Sequence, residues 1–91
     1  MNQDLTFKIS ISSPEELIYQ GQATMVKMPG IEGEFSVLVG HANFVSLLQE
    51  GVISVFVDGQ MEKEIFIKKA IAEVSKDGCS IFVLETSVSQ E

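Results

Sequence analysis

A chain of 91 residues makes one domain, and 45% hydrophobic against 21% charged residues is a globular composition rather than a disordered one. Thirteen acids against six bases give a formal charge of −7, which repels phosphate backbones and anionic lipid. Lys63, Lys68 and Lys69 are the one local concentration of positive charge and have Glu62 and Glu64 among them, so nucleic acid is disfavoured as a partner and a protein surface bearing Arg or Lys is favoured.

The first element in chain order is LTFKISI. Leu5, Phe7, Ile9 and Ile11 alternate there with Thr6, Lys8 and Ser10, the period of a half-buried strand. Ser13-Pro14-Glu15-Glu16 breaks it, because proline has no N–H to give to a ladder. An extended segment resumes over Glu16 to Gln20 and stops near Gly21. Ala23 to Met28 is expected to be the next strand, closed by Pro29-Gly30. Gly33 and Gly40 bracket a strand at Phe35 to Val39, with Glu32 and Glu34 before it and Gly40-His41-Ala42 turning the chain after it. Phe44 to Leu48 suits a strand or one helical turn, and the Gly51 boundary favours a strand. Val52 to Val57 is rich in β-branched residues and runs into Asp58-Gly59, the pair that a type I′ hairpin demands. Met61 to Ile67 returns. A second hairpin is expected from Ala70 to Ser75, a turn at Asp77-Gly78, and Ser80 to Glu85. The tail TSVSQE is polar, with residues 87–91 expected to fray.

No window shows apolar recurrence at the helical period, so the fold class is all-β. One flat sheet would leave an apolar face wet, which makes a two-sheet antiparallel β-sandwich of about eight to ten short strands the expected architecture, a single domain over 1–91 with its core at about 5–86.

The longest apolar runs, Val37 to Val39, Val55 to Val57 and Ile81 to Leu84, fall short of the about 20 residues of a membrane-spanning helix and the 7 to 15 of a signal-peptide core. The opening MNQDL does not look like a targeting segment, and no membrane insertion is expected. Cys79 is the lone cysteine, which excludes an internal disulfide, gives no basis for a structural zinc site and fits a reducing compartment; a small core hydrophobe is its expected role.

The densest collection of chemistry-bearing residues is PGIEGEFSVLVGHANF, Pro29 to Phe44. A hydrolase triad would need His41 beside an activated Ser or Cys, yet no serine stands in a Gly-x-Ser-x-Gly elbow and Cys79 sits in a strand alternation. Metal binding needs more than Glu32, Glu34 and one histidine. Gly30 and Gly33 enclose Ile31 and Glu32, and an acid there opposes phosphate, so they read as turn glycines. Glu32 and Glu34 as a glycosidase pair would lack a cleft in so small a chain. Recognition remains, with two readings of the segment: ordinary loops in which His41 is half-buried and bonded to backbone, or a rigid acid-bearing surface for a partner.

PG-x-EGEF-x-VL-x-GHA at Pro29 to Ala42, EGVI at Glu50 to Ile53, and AIAEV at Ala70 to Val74 with its DG hairpin resemble the epsilon subunit of the rotary F-type ATP synthase, from about Leu5 to Thr86. The resemblance implies that family's amino-terminal β-sandwich of about ten strands in two sheets. It implies a non-catalytic rotor role without nucleotide, metal or other cofactor. The sandwich would join the gamma subunit to the membrane c-ring on the cytoplasmic face of the inner (plasma) membrane and couple proton-driven rotation to ATP synthesis. Carried over by position, the ring-facing loops are Glu32, Gly33 and Glu34, and Gly40, His41 and Ala42. Glu34 is the first choice for a polar contact with an Arg of the ring loops. The chain departs from the family where Val39 and Asn43 replace prolines around GHA and where Lys68-Lys69 replaces a glycine pair, which removes the residues that favour a bulge. The family's carboxy-terminal helical hairpin has no counterpart up to Glu91, so coupling without inhibition by a helical arm is expected; an initiating Met with a polar end suits a naturally short form, and the alternative is a piece of a longer chain that still carries the arm. The alternative reading is a free-standing β-sandwich adaptor for protein interaction.

Overall fold

The computed structural model describes residues 6–86, so expectations for 1–5 and for the tail 87–91 lie outside the described residues. Period-two alternation does become extended chain. The strands are β1 (Phe7–Ser12), β2 (Leu17–Ala23), β3 (Met25–Gly30), β4 (Gly33–Leu38), β5 (Phe44–Leu48), β6 (Gly51–Val57), β7 (Gln60–Ser75) and β8 (Gly78–Thr86).

Pairing divides them into two layers of a sandwich. One layer runs β2, β1, β8, the second half of β7, and β5; the other runs β4, β3, β6 and the first half of β7, and the two also meet at one edge, where Gly30 of β3 pairs with Leu48 of β5. A strand of sixteen residues, β7, is therefore shared. Gln60 to Ile67 pairs with β6, and from Ile67 onward the strand pairs with β8 and β5. The sequence pattern treats Met61 to Ile67 and Ala70 to Ser75 as separate strands. The chain instead passes continuously from one layer to the other, through register irregularities on either side of Lys69. A bulge lets a strand bend and change layer, and here it forms at Lys68-Lys69 although neither residue is a glycine.

Facing side chains of both layers make one core. Ile9, Ile11 and Ile81 come from the first layer, and Val26, Met28 and Ile53 from the second; all six are fully buried. Removing such an aliphatic side chain from water contributes about 1.5–3 kcal/mol, and this is the main term holding the layers together.

Two features depart from a simple antiparallel reading. First, β1 and β8 are parallel, Lys8 opposite Gly78 through Ser12 opposite Phe82. Second, the two DG pairs make different turns. Asp58 and Gly59 both have positive φ, 49° and 83°, and link Val57 to Gln60 as a two-residue turn of the expected kind. In the second hairpin Ser75 pairs with Gly78, so the turn residues are Lys76 and Asp77, and the glycine is already in the strand. Its reason for being glycine is β1: a Cβ at position 78 would stand 2.7 Å from the Lys8 carbonyl oxygen.

Candidate functional site

Strand β4 decides where the sequence candidates lie. Pro29 opposite Glu34 and Gly30 opposite Gly33 close a tight hairpin whose two turn residues are Ile31 and Glu32. Gly33 has φ 130°, and Gly30 is buried so closely that an added Cβ would meet the Gly33 carbonyl and the Phe35 ring, each at 2.8 Å. The hairpin is pinned from its other side by Ile31 N–H donating to the Leu47 carbonyl (3.1 Å) and Gln49 N–H donating to the Pro29 carbonyl (2.9 Å). Glu32, Gly33 and Glu34 are exposed on this braced tip. Ile31, Glu32, Glu34, Phe35, Phe44 and Leu47 are among the residues lining an open groove beside it, where Phe35 and Phe44 meet edge to face at 5.7 Å.

Gly40, His41 and Ala42 lie beyond the far end of the same strand. Four strand steps at about 3.3 Å each carry the chain about 13 Å from Glu34 to Leu38, and Val39 and Gly40 follow before His41, so the acids and the histidine do not share a site. Gly40 (φ 84°) and Ala42 are exposed, whereas the His41 side chain is turned inward and half-buried. Its ring sits at right angles to Phe7 (centroids 5.1 Å, 82°), with Nδ1 2.6 Å from the Leu38 carbonyl oxygen and Nε2 against the Ser75 carbonyl oxygen. His41 is thus half-buried and bonded to backbone, as expected of an ordinary loop. Asn43 adds a second tie, its Oδ1 accepting from the Lys76 N–H at 3.0 Å. The loop between β4 and β5 is thus held to the β7–β8 turn at two points.

Burial pushes the Cys79 thiol from an ordinary 9.0 up to about 12, the state of an inert core thiol rather than of a nucleophile. Among the described residues, no three His, Cys, Asp or Glu side chains are grouped as metal ligands, and no helix is long and apolar enough to cross a membrane.

A feature that the sequence reading passes over is an apolar row on the outward face of the five-stranded layer. Leu17, Phe82, Ile71 and Leu47 follow one another across β2, β8, β7 and β5, with Ser12 of β1 between the first two. Leu17, Phe82 and Leu47 are each about half exposed, at 55%, 48% and 51%. The signal was available in IFVL, where an unbroken apolar run in a two-faced strand must place Phe82 and Leu84 opposite Ile81 and Val83. At the same end of the sandwich stand the carboxylates of Glu15, Glu16, Glu32, Glu34 and Glu50, in or beside the β1–β2, β3–β4 and β5–β6 connections.

Residues 6–87 match the family model described as the ATP synthase delta/epsilon chain, β-sandwich domain. The chain belongs to this family. Among relatives of this delta/epsilon family, an ATP synthase epsilon chain of Rhodopseudomonas palustris (strain BisB18) is 37% identical over 86 residues, 93% of this chain and 63% of that protein. An epsilon chain of Helicobacter pylori (strain Shi470) is 46% identical over 74 residues, 81% of this chain and 59% of that one. The chain thus spans about 60% of the length of these relatives. The fold of the family recurs in a chain of the Euglena gracilis mitochondrial ATP synthase (OSCP/F1/c-ring, rotational state 1), with a TM-score of 0.81 at 22% identity over 98% of this chain and 59% of that one. It recurs again in the central stalk/c-ring of the Tetrahymena thermophila enzyme, with a TM-score of 0.71 at 10% identity over 92% of this chain and 67% of that one.

Proposed function

We propose that this sandwich is a non-catalytic central-stalk part of an F-type ATP synthase, joining the gamma subunit to the c-ring so that proton-driven rotation is coupled to ATP synthesis at the membrane surface. The observation that carries the reading is the match of 6–87 to the delta/epsilon β-sandwich family, with relatives named epsilon chain at 37% and 46% identity. An exposed apolar row supports a packed protein neighbour, and the gamma subunit is that neighbour in this reading.

For the ring, the braced hairpin at Glu32, Gly33 and Glu34 is favoured. Its backbone is fixed by the Leu47 and Pro29 hydrogen bonds, and Glu34 presents a carboxylate that an Arg of a polar loop meets by a charge-assisted bond. At a wet rim such a pair sets register more than affinity. Gly40 and Ala42 present exposed backbone about a strand length away, and His41 serves from behind by shaping their loop. Co-expression with the gamma homologue, followed by reconstitution with detergent-solubilised c-ring, tests this. Glu34→Lys is expected to keep gamma binding and weaken ring binding. Wild-type chain that binds neither partner refutes the reading.

A further inference from the structure

We infer that His41 and Asn43 form a protonation-dependent clamp that docks the β4–β5 loop onto the β7–β8 turn. The inference goes beyond the stalk role and stands whatever the chain's partners are. Both ring nitrogens of His41 face acceptors: the Leu38 carbonyl three residues back and the Ser75 carbonyl 34 positions away. A carbonyl oxygen has no proton to give, and a neutral imidazole carries a single N–H. The neutral ring therefore serves one carbonyl and turns a lone pair towards the other, while the doubly protonated ring donates to both. Leu38 is local to the loop and Ser75 is not, so only the doubly protonated ring holds the loop both to its own strand and across the sandwich.

The hydrogen-bonding and aromatic partners of the ring are uncharged: two carbonyls and the edge-to-face Phe7 ring. The elements that supply them carry few ionisable groups near the contact. Lys8 follows Phe7 on β1, Glu73 precedes Ser75 on β7, and Lys76 and Asp77 form the turn; on β4 the one acid, Glu34, is at the far end. Asn43 is the half of the device without a titratable group: its amide oxygen accepts from the Lys76 N–H whenever the loop is docked, so this bond follows the docking that the ring strengthens. The Lys76 amide is also a built-in reporter, since its protection measures docking directly.

The test is amide hydrogen exchange of the intact chain from pH 8 to pH 5, corrected for intrinsic exchange, together with the imidazole 15N shifts of His41. Protection of the Lys76 amide is expected to rise about tenfold as the ring gains its second proton, the size of a charge-assisted hydrogen bond. Both changes should share one midpoint. His41→Gln, which cannot change charge, is expected to show a flat profile while Asn43 still docks the turn. A flat wild-type profile, or an equal rise in His41→Gln, overturns the clamp. If His41→Gln does not fold, the wild-type comparison decides alone: Lys76 protection that rises while the 15N shifts still report a single N–H overturns it equally.

Discussion

Gly78→Ala should destabilise the chain far more than Gly59→Ala, although both glycines follow an aspartate in a hairpin sequence. At Gly59 (φ 83°) an added Cβ meets nothing within 4 Å, so the cost is the left-handed conformation alone, about 1 kcal/mol. At Gly78 (φ 154°) the Cβ would lie 2.7 Å from the Lys8 carbonyl oxygen and 3.1 Å from the Lys8 Cβ. Backbone on the parallel β1–β8 pair cannot rotate away as a side-chain tip can. The substitution must separate the strands or break the ladder, which puts it at the upper end of overpacking costs, about 3 kcal/mol. For a domain of this size each kcal/mol moves Tm by about 4–8 °C, so the variants should lose about 5 °C and about 12–24 °C respectively. Thermal unfolding followed by far-ultraviolet circular dichroism reads both. Equal small losses would show that Gly78 is an ordinary turn glycine and that the close approach of β1 is not what requires it.

Cys79 should resist thiol reagents until the chain unfolds, and an alkylation rate equal to that of free cysteine would contradict its burial. Its folded-state value is raised above the ordinary one, so the folded chain keeps a proton that the unfolded chain loses. Its contribution to stability is accordingly complete below about pH 9 and is lost between about pH 9 and 12, at up to about 1.4 kcal/mol per pH unit; urea titrations at pH 8 and 10.5 compare the two regimes, with Cys79→Ala as the variant that lacks this slope. Ile81→Ala removes a fully buried side chain between the layers and should lower stability by about 2–5 kcal/mol in the same assay. Glu34→Lys, on an exposed site, should change stability by no more than about 0.5 kcal/mol, and a larger loss would mean that the carboxylate serves the fold rather than a partner.

Most extended segments were legible because they are short and alternating, but their ends were not: β2 runs on through Gly21, β3 includes the Pro29-Gly30 pair expected to close it, and β7 is one strand of sixteen residues. Asp58-Gly59 was legible, since a turn is a property of the residues in it. Partner choice was not: nothing within LTFKISI or CSIFVLE says that these strands lie side by side in parallel, because the pairing depends on how β7 changes layer. The Lys68-Lys69 segment hid that change, as a bulge made by ordinary residues leaves no local mark. The separation of Glu34 from His41 was readable in the strand expected between them. The clamp was not, because Ser75 contributes a backbone carbonyl and any residue type would supply one. Asn43 was passed over in the same way, its partner being the backbone N–H of Lys76.

The most direct test of the central claim is affinity purification of the tagged full chain from membranes of its own host, in mild detergent, followed by quantitative mass spectrometry. The account predicts recovery of the gamma subunit in equal amount together with the c-ring and catalytic subunits of the ATP synthase. Intact ATP synthase that lacks this chain, while the chain itself is recovered alone or with unrelated proteins, would contradict it.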